Sequence, residues 1–306
     1  MFTTSTGRLR PVWAFAISLV LSFGVFFIAG VVSEVVAGRH YLVVEVVFRS
    51  LLVLLLLGLY VWLLTIADNV HSHRIAALGL PVTPGWSGQF ITGCVVGLVL
   101  TFLAVLPITI WGSLSVDFRF SARLLPRAGA VLYVLLVGAI AEELVFRGYP
   151  FQHLEEGIGA VGAIAVFSVM FGAVHLSNPG ASRWGLINTV LIGIVLSIAY
   201  LRTRALWLPW GIHFGWNATL GFLCGLPVSG LRMFNVFVRT SANGPTWMTG
   251  GSYGVEASAT GTIAVLIGLV IVWKLPVTNR RPAAPLPLES HSGVQPAETP
   301  NSKLET

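Results

Sequence analysis

Long apolar runs constrain the fold of this chain more than any other feature. A helix that crosses a bilayer needs about 20 consecutive, mostly apolar residues, and the run at 13–32 has no charged residue at all. Eight runs of this kind follow one another, at 13–32, 42–67, 90–111, 128–147, 158–174, 184–201, 206–226 and 257–273. The 306 residues are 55% hydrophobic and only 10% charged, whereas soluble domains carry roughly 25% charged residues. The sequence therefore predicts an all-α, polytopic membrane protein with about eight transmembrane helices.

The net charge of +6 does not indicate a nucleic-acid-binding protein. The Arg and Lys residues cluster between the apolar runs, where they flank and orient membrane helices. No basic tract with interleaved aromatic residues is present in the sequence. Cys94 and Cys224 both lie inside apolar runs, so the sequence offers neither a disulfide framework nor a CxxC metal pair.

The stretch AEELVFRGYP, at 141–150, places three ionisable groups at the end of the fourth run. A carboxylate at membrane depth costs at least about 2.5–3.5 kcal/mol and usually faces a bundle interior or a water-filled cavity. Glu143 and Arg147 are four residues apart, so they share one helix face and can pair. Glu142 lies about 100° further round the helix and can point elsewhere. The pattern predicts one paired carboxylate and one free carboxylate, and the free one suits a general base.

Three further polar residues lie in the later runs. His175 ends the fifth run in FGAVH, and His213 and Asn217 are four apart in HFGWN, so that both project from one face of the seventh run. Each residue alone has an ordinary structural explanation, because His and Asn also stabilise contacts between membrane helices. Together with Glu142 they indicate one polar site shared by three membrane helices. Glu45 and Arg49, also four apart, are expected to form a structural ion pair.

Three motifs in this order resemble a known family. EELVFR at 142–147 fits EExxxR, FGAVH at 171–175 fits FxxxH, and HFGWN at 213–217 fits HxxxN. They resemble the CPBP family of type II CAAX prenyl proteases and bacteriocin-processing enzymes, also called the Abi family. The resemblance covers about residues 128–222. It implies a hydrolase, an intramembrane endopeptidase whose site lies in a cavity between these helices.

The resemblance also implies roles for individual residues. Glu142 would activate the attacking water with help from His175, while His213 and Asn217 would stabilise the oxyanion. Arg147 would hold Glu143 and the end of the helix. These roles agree with what peptide hydrolysis requires, namely a base for water and donors aimed at the developing oxyanion.

The use of a metal stays open at this point. The family is often described as a family of metalloproteases, but the zinc-binding motif HExxH is absent from this sequence. Glu142, His175 and His213 could form a zinc site of two His and one Glu with an open position for water. A glutamate base that works without a metal is equally consistent with the same residues.

The predicted organisation has four parts. Residues 1–125 form the first three transmembrane helices, and 126–226 form the CPBP-like catalytic core. Residues 227–275 comprise a loop and the last transmembrane helix. Residues 276–306, with six prolines, form a disordered tail.

Two other functions compete with the protease. A non-catalytic member of the family could bind a peptide or membrane partner as an immunity or scaffold protein. A proton-coupled transporter could use intramembrane Glu and His as a relay, although no internal repeat of the kind common in transporters is visible. The expected partners are membrane lipid and a peptide or protein substrate, with no nucleic acid. Because Arg far outnumbers Lys and Ala, Gly and Val are abundant, we expect a bacterial cell membrane.

Overall fold

The structure is a computed structural model that describes residues 9–37, 41–68, 70–71 and 73–276. The predicted disordered tail therefore lies outside the described residues, apart from Pro276. The division of the chain into four parts stays a prediction.

Helices make up most of the described chain. They are α1 Pro11–Ala37, α2 Tyr41–Ile66, α3 Arg74–Ala77, α4 Trp86–Ile110, α5 Leu125–Phe146, α6 Tyr149–Val174, α7 Arg183–Thr203, α8 Trp207–Asn217, α9 Thr246–Thr249 and α10 Ala259–Lys274. Two short strands, β1 Leu114–Phe118 and β2 Val238–Ala242, pair antiparallel. The all-α prediction is confirmed in its main point and is wrong for these strands. They tie the segment after α4 to the long loop that precedes α10.

Five stretches are long and apolar enough to cross a membrane. They are Pro11–Val36, Leu42–Ile66, Trp86–Ile110, Ala122–Ser177 and Arg183–Thr203. The chain is thus an integral membrane protein, but the predicted count of about eight spans is not confirmed. The fourth and fifth predicted spans fall within the single stretch Ala122–Ser177. The seventh and eighth predicted spans are not among the five. The seventh is helical from α8 through a π-helical turn at Ala218–Leu223, and the eighth corresponds to α10, an apolar helix of 16 residues.

Helix α8 packs against α4 through glycines on both sides. A Cβ atom at Gly93 would lie 2.5 Å from a carbonyl oxygen of α8, and a Cβ atom at Gly97 would lie 2.4 Å from another. In the other direction, a Cβ atom at Gly211 would lie 2.2 Å from a carbonyl oxygen of α4, and a Cβ atom at Gly215 would lie 2.4 Å from another. Each helix thus carries two glycines four residues apart, a spacing that lets membrane helices approach closely. This contact fixes the position of His213, which lies between Gly211 and Gly215 on α8.

Helix α6 is two helical segments joined at Gly159. The backbone there has φ 81° and ψ 166°, a conformation open almost only to glycine. The second segment corresponds to the fifth predicted run and packs closely on α7, where a Cβ atom at Gly193 would lie 3.0 Å from Cα of Ser168. This packing holds the C-terminal segment of α6, with His175 directly after it, against α7.

Candidate active site

A cavity of about 510 Å³ lies between α1, α2, α5, α6, α7, α8 and α10, with a further wall from the segment before α10. Glu142, His175, His213 and Asn217 all line it. The structure thus brings together the four residues that the sequence proposes for catalysis. Glu143 and Arg147 lie behind the wall, with side chains that are 0% exposed.

Arg147, directly after α5, forms several buried contacts. Arg147 Nη1 lies 3.3 Å from Glu143 Oε1, so the predicted pair is present. Arg147 Nη2 donates to the carbonyl oxygen of Gly193 on α7 at 3.1 Å, and Cζ lies 4.6 Å from the ring centroid of Phe171. The buried guanidinium therefore joins α5, α6 and α7 behind the cavity.

His213 lies between the two glutamates. Its Nδ1 is 2.8 Å from Glu143 Oε1, and its Nε2 is 3.7 Å from Glu142 Oε2. Because a carboxylate oxygen accepts, Nδ1 carries the hydrogen and donates to Glu143. Nε2 is then the ring nitrogen that faces Glu142 and the cavity, and a doubly protonated ring would donate from there as well.

His175 is held in a similar way at the end of α6. Its Nδ1 lies 2.7 Å from the carbonyl oxygen of Phe171, one turn earlier. Since a carbonyl oxygen accepts, Nδ1 carries the hydrogen, and Nε2 of the neutral ring is left with the lone pair. The hydrogen bond thus orients a proton-accepting nitrogen in a residue that lines the cavity.

Glu142 is not the isolated carboxylate that the sequence pattern predicts. Its Oε1 lies 3.6 Å from Nη1 of Arg49, a residue of α2. The prediction considered partners on the same helix, whereas this cation comes from a helix far away in the chain. The predicted Glu45–Arg49 pair is also present, with 3.3 Å between Arg49 Nε and Glu45 Oε2. Glu142 Oε2 has no hydrogen-bond partner among the described residues.

The sequence interpretation missed Glu256, which lines the cavity from the segment before α10. Its carboxylate accepts from Trp216 Nε1 at 3.0 Å and from the backbone N–H of Ser229. Burial raises the pKa of Glu256 above the usual value, although these two donors partly oppose the shift. A glutamate directly before an apolar run was the available signal, but spacing alone does not reveal a partner on α8.

The described residues contain no group of three or more His, Cys, Asp and Glu side chains that could hold a metal ion. Glu142, His175 and His213 therefore do not form, in this arrangement, the zinc site that their residue types would allow. The Nδ1 atoms of both histidines are engaged in hydrogen bonds within the protein, to the carbonyl oxygen of Phe171 and to Glu143 Oε1.

Comparison with known families gives one result. Residues 125–219 match the family model described as type II CAAX prenyl endopeptidase Rce1-like. No curated protein and no solved structure matches the chain. The matched segment contains all six site residues that the sequence analysis predicts. The resemblance to the CPBP family is thus confirmed for residues 125–219, the part of this membrane protein that a protease family model recognises.

Proposed function

We propose that this chain is an intramembrane endopeptidase that hydrolyses peptide bonds near hydrophobic or membrane-associated C-terminal segments. One observation carries the proposal. Glu142, His175, His213 and Asn217 come from three elements of the bundle and line the same cavity. A peptide and a water molecule that enter this cavity would meet a base and hydrogen-bond donors together, which is what amide hydrolysis requires.

Glu142 serves as the general base. Its carboxylate takes a proton from water while the water oxygen forms a bond to the scissile carbonyl carbon. His175 accepts a hydrogen bond from the same water through Nε2 and orients it. When the C–N bond breaks, the proton held by Glu142 passes to the leaving nitrogen, and the carboxylate is restored.

His213 and Asn217 act on the carbonyl oxygen of the scissile bond. The carbonyl oxygen becomes negatively charged as water adds, and N–H donors aimed at that position lower the barrier. The Asn217 amide and Nε2 of a protonated His213 supply such donors. Glu143 holds Nδ1 of His213 at 2.8 Å and so fixes the direction of Nε2.

The substrate is a peptide or protein segment that reaches the cavity from the membrane. Leu19, Phe23 and Phe26 of α1 and Phe48 of α2 line one side of the cavity, and these side chains suit apolar residues of a substrate. The compositional bias toward Arg, Ala, Gly and Val supports a bacterial cell membrane as the location.

The test uses purified protein in lipid vesicles with a peptide that ends in an apolar C-terminal segment. Mass spectrometry of the new termini should show cleavage by the wild type. Glu142→Gln should lower the rate by about 10²-fold or more, because general base catalysis is lost. Glu156→Gln serves as the matched control, since its side chain is 55% exposed and lies outside the cavity lining. Equal cleavage by the wild type and Glu142→Gln would reject the mechanism, and no cleavage by the wild type would favour the non-catalytic alternative.

A further inference from the structure

Arg49 occupies an unusual position for a charged residue. It lies on α2 within the stretch Leu42–Ile66 that is apolar enough to cross a membrane, and its side chain is 19% exposed. A cation at membrane depth is costly and usually faces a bundle interior or a water-filled cavity, where it has partners. Arg49 lies outside the segment 125–219 that the family model matches. Its role must therefore be inferred from its surroundings.

Those surroundings point to the reactive carboxylate. Among the described residues that line the cavity, Arg49 is the only Arg or Lys. Its Nε lies 3.3 Å from Glu45 Oε2 and its Nη1 lies 3.6 Å from Glu142 Oε1. Glu45 thus fixes one edge of the planar guanidinium, and the other edge faces Glu142.

Space for the guanidinium comes from a glycine on α5. A Cβ atom at Gly138 would lie 3.1 Å from Arg49 Nη1 and 3.4 Å from Cζ. Gly138 precedes Glu142 by one turn on the same helix face. The absence of a side chain there lets the arginine of α2 lie over α5 directly beside Glu142.

The two oxygens of Glu142 are consequently not equivalent. Oε1 faces Arg49, while Oε2 is buried, has no hydrogen-bond partner among the described residues and faces His213 Nε2 at 3.7 Å. A distance of 3.6 Å gives an electrostatic attraction without a close hydrogen bond. We propose that Arg49 is a positioning residue that attracts Oε1 of Glu142 and thereby fixes the orientation of the carboxylate relative to the attacking water. This inference rests on the proposed function of Glu142 as general base.

The kinetic test separates positioning from substrate binding. Arg49→Gln should lower kcat by about 10²-fold, the loss typical of a misplaced catalytic group, and should leave KM nearly unchanged. Arg49→Lys should restore part of kcat, because it keeps the charge without the planar fork. Wild-type kcat in Arg49→Gln would overturn the proposal. So would a rise in KM that is specific to peptides with a free C-terminal carboxylate and absent for amidated peptides, because Arg49 would then bind the substrate.

A second variant displaces the guanidinium without removing it. Gly138→Ala should lower kcat, since the new methyl group would require the Arg49 guanidinium to shift by a few tenths of an ångström beside Glu142. Gly129→Ala is the matched control, because it lies on the same helix with no atom within 4 Å of its Cβ position. Equal kcat in both variants would count against the proposal.

A third measurement does not depend on peptide cleavage. Thermal unfolding midpoints in detergent should be measured for Arg49→Gln, Glu142→Gln and the double variant. If the two side chains interact as proposed, the shift of the double variant should be smaller than the sum of the single shifts. Additive shifts would overturn the inference even if Glu142 proves essential. Non-additive shifts in a protein that cleaves no peptide would instead reject the proposed function and leave only the interaction between Arg49 and Glu142.

Discussion

Glu142 and Glu143 are neighbours in the chain but have different surroundings. Glu143 is 0% exposed and faces Arg147 and His213, whereas the side chain of Glu142 is 29% exposed and lines the cavity. The 100° step between successive helical residues produces this separation. One carboxylate therefore belongs to the buried framework of the site, and the other is partly exposed in the cavity.

We therefore expect a Glu→Gln substitution to lower stability at position 143 and turnover at position 142. Glu143→Gln should lower the free energy of unfolding by about 3–5 kcal/mol, because Arg147 would remain buried without its carboxylate. Glu142→Gln should change the free energy of unfolding by much less and act mainly on turnover. Thermal unfolding in detergent, with tryptophan fluorescence as the signal, measures both.

The matched control is Glu155→Gln, which breaks a partly exposed pair. Arg204 lies 2.7 Å from Glu155 there, and a pair near the surface is worth about 1 kcal/mol or less. Equal destabilisation by Glu142→Gln and Glu143→Gln would contradict the division of roles between the two glutamates.

Helix spacing made several contacts predictable and left others hidden. The Glu143–Arg147 pair and the common face of His213 and Asn217 follow from residues four apart, because one helix determines both positions. Arg49 beside Glu142 and Trp216 beside Glu256 could not be predicted in this way, since each contact joins elements far apart in the chain.

The contact between α4 and α8 is the clearest case at the level of elements. Each helix shows two glycines four apart in the sequence, but nothing in that spacing identifies the partner helix. The structure pairs them, and the close backbone approach fixes α8, with His213 and Asn217, against α4.

Gly97→Ala should therefore disturb both stability and catalysis. A Cβ atom at position 97 would lie 2.4 Å from the carbonyl oxygen of Ile212 and 2.5 Å from the backbone nitrogen of Trp216, so α8 would have to move away. Overpacking of this kind costs about 1–3 kcal/mol, and displacement of His213 should lower kcat.

Gly88→Ala on the same helix is the control for this prediction. No atom lies within 4 Å of its Cβ position, and alanine favours a helix over glycine by up to about 1 kcal/mol. Unfolding midpoints and kcat should be measured for both variants. If Gly97→Ala matches Gly88→Ala in both quantities, the glycine contact does not position α8.

At the scale of the whole molecule, the cavity extends beyond the segment that the family model matches. The family model covers 125–219, but α1 and α2 contribute Leu19, Phe23, Phe48 and Arg49 to the cavity wall. The sequence motifs predicted which residues would meet, because they lie on helices of recognisable pattern. They did not predict that the first two helices would complete the cavity, since an apolar helix face that lines a cavity resembles one that contacts lipid.

Neighbouring residues on α1 can distinguish these two kinds of face. Leu19 lines the cavity, whereas Val20 is 69% exposed on the outer side of the helix. Leu19→Trp should fill the apolar side of the cavity and lower kcat/KM by about tenfold or more for a peptide with bulky apolar residues, since a change of a single methylene in such a pocket already alters selectivity by about 10-fold or more. Val20→Trp adds the same side chain toward lipid and should leave kcat/KM close to the wild-type value.

Peptides with side chains of different size test whether the loss of kcat/KM in Leu19→Trp depends on the substrate. If α1 forms a wall of the substrate cavity, Leu19→Trp should penalise bulky apolar peptides more than peptides with alanine at the same positions. A loss of the same size for both peptides would mean that the substitution disturbs helix packing instead. Equal kcat/KM for Leu19→Trp and Val20→Trp would show that substrate does not contact α1, and the substrate site would then have to lie within the helices of the matched segment and α2.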